Sequence, residues 1–183
     1  MINIILGPPG TGKTTKLLDI CQQKKEQGIA WNKIGFFSRI KDITLEEECQ
    51  NSREIINTVK LDYLDRTIKE YKRENNLFDF TDMIVDYTND TFSTQFDVLF
   101  IDEAQDMPRI QYNMVDKLIA DSKETFIAGD DDQAIFRWSG ADVDKFIALE
   151  GNVTVLDKSY RCPQLVYNLA NNIISKVKNR REK

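Results

Sequence analysis

Gly7, Pro8, Pro9, Gly10, Thr11, Gly12, Lys13, Thr14 and Thr15 follow a short branched apolar run, Ile2 to Leu6, near the start of the 183-residue chain. The spacing Gly7-x4-Gly12-Lys13-Thr14 is that of a Walker A phosphate-binding loop. Each residue type has a physical reason to be there. Gly7, Gly10 and Gly12 let the backbone fold into a nest of inward-pointing N–H groups, and the helix that follows adds the positive end of its dipole. Lys13 brings a cation to the outer phosphates, and Thr14 offers a hydroxyl to Mg²⁺. Pro8 and Pro9 stiffen the turn but have no N–H, so the donors come from later loop residues. The reading is nucleotide binding; a plain glycine turn between strand and helix explains less of the pattern.

A second acidic site lies farther along. Val98 to Ile101 reads as a buried strand and runs into Asp102-Glu103-Ala104-Gln105-Asp106. A strand delivers its last side chain to the sheet edge, which would bring Asp102 beside Thr14 as a metal ligand. Glu103, one residue further out, is placed to polarise an attacking water. Two acids capping the next helix would be the structural alternative.

Strands and helices must alternate for these groups to meet. Strands are predicted at Ile2–Leu6, Ile34–Phe37, Phe96–Ile101, Thr125–Ala128 and Val153–Leu156. Helices are predicted at Lys13–Gln27 with Gly28 as C-terminal cap, over Asp42–Tyr71, after Leu77 with Asp79 or Thr81 as cap, and at Pro108–Asp121, Val143–Leu149 and Pro163–Lys178. That order predicts an α/β fold, a parallel five-stranded sheet covered on both faces, with the ligand at the carboxyl ends of the strands. Residues 1–183 read as one domain.

Composition narrows the function classes. The chain is 41% hydrophobic and 30% charged, with a net charge of −5. No run approaches the roughly 18 apolar residues that span a bilayer, so a cytoplasmic protein with no membrane partner is expected. Cys21, Cys49 and Cys162 are far apart and histidine is absent, which speaks against a disulfide framework or a zinc site. An acidic surface argues against indiscriminate coating of DNA, yet a local basic groove remains compatible with it.

The acidic segment also carries a resemblance. Asp102-Glu-Ala-Gln-Asp106, Ala128-Gly-Asp-Asp-Asp-Gln-Ala-Ile-Phe-Arg-Trp-Ser-Gly-Ala141 and Leu156-Asp-Lys-Ser-Tyr-Arg161 resemble motifs II, III and IV of the UvrD/Rep-type superfamily 1 DNA helicases. Leu77-Phe-Asp-Phe-Thr-Asp-Met-Ile84 is similar to a segment those enzymes carry before motif II, and Gly35-Phe-Phe-Ser-Arg39 is similar to motif Ia. The resemblance implies a P-loop NTPase fold of the RecA type, the N-terminal domain called 1A, with the helical insertion reduced to about residues 42–76. It implies ATP and Mg²⁺ as cofactors and single-stranded DNA as partner.

Carried over by position, the resemblance gives Lys13 and Thr14 to phosphate and Mg²⁺, Asp102 to Mg²⁺ and Glu103 to water activation. Gln133 is implied as sensor of the γ-phosphate, Arg161 as a positive charge near it, and Tyr160 as a stacking surface for adenine. Phe136 and Trp138 are implied as platforms for DNA bases, with Phe37 and Ser38 lining the same groove. Aromatic faces stack on any base without reading sequence. Three departures modify these expectations. No glutamine motif precedes the loop, Thr15 stands where an arginine is usual, and Arg137 precedes Trp138 instead of following it. Adenine contacts are therefore expected to be fewer. Motifs V and VI are absent, so the chain is expected to be a fragment whose second RecA-like domain is missing and whose hydrolysis is slow. A stand-alone nucleotide-binding interaction module without motor activity is the alternative. A small-molecule kinase would share the loop but give no reason for Gly129-Asp-Asp-Asp-Gln133.

Overall fold

The computed structural model describes residues 1–38, 58–92, 94–135 and 137–177. The described residues form strands β1 (Ile2–Leu6), β2 (Ile34–Ser38), β3 (Val98–Asp102), β4 (Glu124–Gly129) and β5 (Asn152–Val155). The helices are α1 (Lys13–Glu26), α2 (Thr58–Asn75), α3 (Phe80–Asn89), α4 (Arg109–Ala120), α5 (Val143–Ile147) and α6 (Gln164–Ile174). The strands make one all-parallel sheet in the order β2-β3-β4-β1-β5. The α/β fold with a five-stranded parallel sheet is therefore as the alternation of strands and helices predicts. Of the helical stretch expected over 42–76, residues 42–57 lie outside the described residues.

Strand periodicity sorts the core into two layers. Ile4, Leu6, Leu99, Ile101 and Ile127 point to one face and pack with Tyr112, Val115 and Leu118 of α4 and Phe146 of α5. Ile5, Val98, Phe100, Phe126 and Ala128 point to the other and meet Leu17 of α1. Phe100 stacks between Phe36 and Phe126, with ring centroids 6.1 and 5.3 Å away. Full burial of such a side chain stabilises by about 1.5–3 kcal/mol, so both faces hold the central strands rigid.

Local chemistry sets the element ends. After α1, Gly28 adopts φ 94°, its N–H donates to the carbonyl of Lys25 (3.0 Å), and the Ile29 N–H reaches Lys24 (3.2 Å). These are the two bonds of a Schellman stop, which requires a left-handed residue. At the start of α3, Asp79 accepts from the Asp82 N–H and the Asp82 carboxylate accepts from the Asp79 N–H, both at 2.9 Å. Of the two caps proposed from sequence, Asp79 is the one used. The third strand begins at Val98 instead of Phe96, because Asp97 donates its N–H to Lys33 outside the strand. Among the described residues strand β5 pairs only with β1, and it is exposed along its length. Among the described residues no helix is long and apolar enough to cross a membrane.

Candidate functional site

Loop 7–12 leaves the carboxyl end of β1, between β4 and β5 in the sheet, and enters α1 directly. Gly10 and Gly12 have φ 74° and 82°, a region L side chains avoid, and these turns wrap the loop back on itself. Thr11 closes the wrap by donating its hydroxyl to the Pro8 carbonyl (2.9 Å). Lys13 is 8% exposed, and its ammonium donates to the carbonyls of Gly7 (2.7 Å) and Pro8 (3.4 Å). A buried cation folded over a glycine loop, beside the unsatisfied N–H groups of a helix start, is chemistry suited to a polyphosphate.

The neighbouring side chain on α1 joins this loop to β3. The Thr14 hydroxyl donates to Asp102 Oδ2 at 2.6 Å, across 88 residues of sequence. Asp102 is 5% exposed, and its other oxygen accepts the Glu103 N–H at 3.0 Å. A hydroxyl and a carboxylate at this separation fit one small divalent cation, since Mg²⁺ takes one or two protein oxygens and completes its octahedron with phosphate and water. The residues present therefore fit Mg²⁺.

Beyond Asp102 the chain turns sharply, with Glu103 at φ 54°. The short 3-10 turn Ala104–Asp106 follows, anchored by the Tyr112 hydroxyl on the Ala104 carbonyl (2.7 Å). Glu103 Oε2 accepts from Gln105 Nε2 (2.8 Å), and Gln105 Oε1 accepts from the Asp130 N–H (2.9 Å). Asp130 is fully buried, and its carboxylate accepts from the Gln133 amide. Glu103, Asp130 and Gln133 thus share one hydrogen-bonded chain at the ends of β3 and β4.

Residues 156–161 cover the other side of the loop. Ser159 donates its hydroxyl to the Pro9 carbonyl (2.7 Å), and the Tyr160 N–H donates to Gly10 (2.8 Å). A Cβ on Gly10 would lie 2.1 Å from the Arg161 Cβ, so only glycine permits this approach. Together these residues border a cleft of about 550 Å³ lined by Gly10, Thr11, Gly12, Thr15, Lys16, Asp19, Leu156, Tyr160 and Arg161. Lys158 lies over the Tyr160 ring, 5.0 Å from its centroid.

The predicted site residues divide accordingly. Gly7 to Thr15, Asp102, Tyr160 and Arg161 converge on one region, and Glu103 and Gln133 are tied together beside it. Trp138 sits apart on the turn Arg137–Ser139 and is 62% exposed. The Arg137 guanidinium forks onto Asp144 at 2.9 and 3.2 Å, a hydrogen-bonded pairing that raises its pKa and fixes that turn. Phe37 is half-buried against the core, and the Ser38 backbone is the register partner of Asp102 between β2 and β3. Phe136 lies outside the described residues. Sequence reasoning missed Ser159 and Gln105, whose roles depend on contacts between distant segments; it grouped Asp130 with Asp131 and Asp132 among acids at metal-holding positions, and the structure ties the Asp130 carboxylate to Gln133.

The family model described as UvrD/REP helicase N-terminal domain matches residues 19–154. A probable DNA helicase II homolog of Mycoplasma genitalium is 30% identical over 150 residues, covering 72% of this chain and 21% of that protein. ATP-dependent DNA helicase PcrA of Bacillus subtilis is 28% identical over 144 residues, covering 71% of this chain and 19% of PcrA. PcrA of Staphylococcus aureus is 29% identical over 130 residues, covering 62% and 18%. The chain thus spans about a fifth of the length of the curated relatives it matches.

Proposed function

Because the chain belongs to the UvrD/REP helicase N-terminal domain family, we propose that it is the ATP-binding motor domain of a single-stranded DNA translocase or helicase. On this reading residues 1–183 are one RecA-like domain, with a small helical insertion near 42–76, working against a second RecA-like domain of the same protein. The observation that carries the proposal is the 2.6 Å contact between Thr14 and Asp102, which joins the phosphate loop to the acidic end of β3.

The roles follow from position. Loop residues Gly7 to Thr15 cradle the phosphates, Lys13 meets their outer charge, and Tyr160 and Arg161 flank the nucleotide. Thr14 and Asp102 would hold Mg²⁺, which would supply positive charge against the phosphates. Glu103 orients water and accepts its proton; Gln133, which does not titrate, senses the bond state of the phosphate. The exposed Trp138 indole offers a stacking surface to DNA bases, with Phe37 and Ser38 assigned to the same groove; Phe136, given the same role by the resemblance, lies outside the described residues. An arginine from a partner domain is worth on the order of 10³–10⁵ in phosphoryl-transfer rate, so the isolated chain hydrolyses ATP slowly.

Fluorescence anisotropy of a labelled oligo-dT tests the reading. The chain should bind the single strand in preference to a duplex, with an affinity that changes when Mg-ATP is added. Nucleotide binding without DNA binding would favour a stand-alone interaction module, and binding of neither would refute the proposal.

A further inference from the structure

The geometry points to Gln105 as a positioning residue that aims the Glu103 carboxylate and couples it to the turn carrying Gln133. This rests on the roles proposed above for Glu103 and Gln133. Gln105 is 2% exposed, and both ends of its amide are engaged: Nε2 donates to Glu103 Oε2 at 2.8 Å, and Oε1 accepts the Asp130 N–H at 2.9 Å. The partners dictate the amide's orientation. Flipping it would set oxygen against carboxylate and NH₂ against N–H, so the side chain is locked in one sense.

Three further features build the strut. Glu103 occupies the left-handed region at φ 54°, so the backbone here is held by its surroundings and not by its own preference. The buried Tyr112 hydroxyl pins the Ala104 carbonyl at 2.7 Å, fixing the turn from which Gln105 projects. Gly129 opens the passage: a Cβ there would lie 2.7 Å from Gln105 Oε1 and 2.6 Å from the Phe146 ring. The strand end is thus shaped to let this amide cross it. Asp130 continues the chain by accepting from Gln133, so water-activating and sensing groups are joined through two buried residues, Gln105 and Asp130. A Gln133 shifted by its ligand would drag Asp130, and with it the orientation of Glu103.

The test is a cycle read by amide resonances in ¹⁵N-labelled 183-residue chain without nucleotide. Glu103→Ala should shift the Asp130 N–H resonance in the parent. In Gln105→Met and in Gln105→Leu, which remove both the acceptor for Asp130 and the donor toward Glu103, that response should vanish. A response that is absent in the parent, or equal in both backgrounds, would overturn the coupling. Single-turnover hydrolysis of prebound radiolabelled Mg-ATP supplies a second arm. Gln105→Met should slow it by about 10- to 100-fold, as for a misaimed catalytic group, with nucleotide affinity unchanged. In the Glu103→Ala background it should cause no further loss; an independent, multiplicative loss would mean a merely structural role. Failure of Mg-ATP to move the Lys13 and Thr14 resonances would instead refute the nucleotide site, whatever the Gln105 cycle shows.

Discussion

Replacing Gly10 by alanine separates the two reasons for a glycine in the phosphate loop. The first is conformational: at φ 74° an L residue costs about 1–2 kcal/mol. The second is contact, since the new Cβ would sit 2.1 Å from the Arg161 Cβ and 2.9 Å from its backbone nitrogen. Non-bonded carbons settle near 3.5–4.0 Å, so residues 160–161 must retreat by about 1.5–2 Å. That movement breaks the Tyr160 N–H bond to Gly10 and strains the Ser159 bond to Pro9, each contributing about 0.5–1.5 kcal/mol net. Gly28 is the control. Its φ of 94° carries the same backbone penalty, but nothing lies within 4 Å of its hypothetical Cβ. The effect of alanine on the unfolded chain is common to both sites and cancels in the difference. Urea unfolding should therefore show Gly28→Ala losing about 1–2 kcal/mol and Gly10→Ala about 1–3 kcal/mol more. Equal losses would mean that the 158–161 segment does not rest on the phosphate loop, and the proposed nucleotide-flanking roles of Tyr160 and Arg161 would fall with it.

Trp138→Ala should leave the urea midpoint almost unchanged, because the indole is 62% exposed, while weakening oligo-dT binding by about 1–3 kcal/mol in anisotropy titrations; unchanged DNA affinity would remove Trp138 from the groove. Lys72 bridges Asp79 and Asp82 beside the cap of α3. Burial opposes the charge on Asp79, but hydrogen bonds from Lys72 and the Asp82 N–H outweigh it and hold the carboxyl below its ordinary 3.8; hydrogen bonding to Asp79 raises Lys72 above 10.5. The folded state therefore favours the charged forms of both. Their stabilisation is present between those values, fades as pH falls through the depressed Asp79 value, and fades again as pH rises through the raised Lys72 value. Lys72→Met should cost less than about 1 kcal/mol at neutral pH, the pair being solvent-screened, and parent and variant should converge in acid. A difference that persists undiminished below the Asp79 value would contradict this.

Sequence made the strand-loop-helix start legible because chemistry and local geometry coincide there: glycines that turn, a lysine that follows, a hydroxyl next to it. The position of Asp102 beside Thr14 was also readable, since a parallel strand order forces both to the same sheet edge. Gln105 was not, because an amide in a turn declares nothing until Asp130 is brought beside it from 25 residues away. Ser159 is similar, a lone hydroxyl given meaning by a carbonyl 150 residues earlier. Periodicity fixed the interior strands but misjudged where β3 begins, as backbone pairing with the Trp31–Lys33 turn captures Asp97 first. The resemblance alone implies a groove-lining role for Phe37, whose ring packs partly against the sheet core.

The Mg²⁺ dependence of nucleotide binding tests the shared Thr14–Asp102 site most directly. Titrating the chain with a fluorescent ATP analogue, with and without Mg²⁺, should show affinity rising with the metal in the parent. In Asp102→Asn, which keeps the shape of the side chain but removes its charge, that gain should disappear while metal-free binding through Lys13 persists. An equal Mg²⁺ gain in both proteins would contradict a site shared between the phosphate loop and the end of β3.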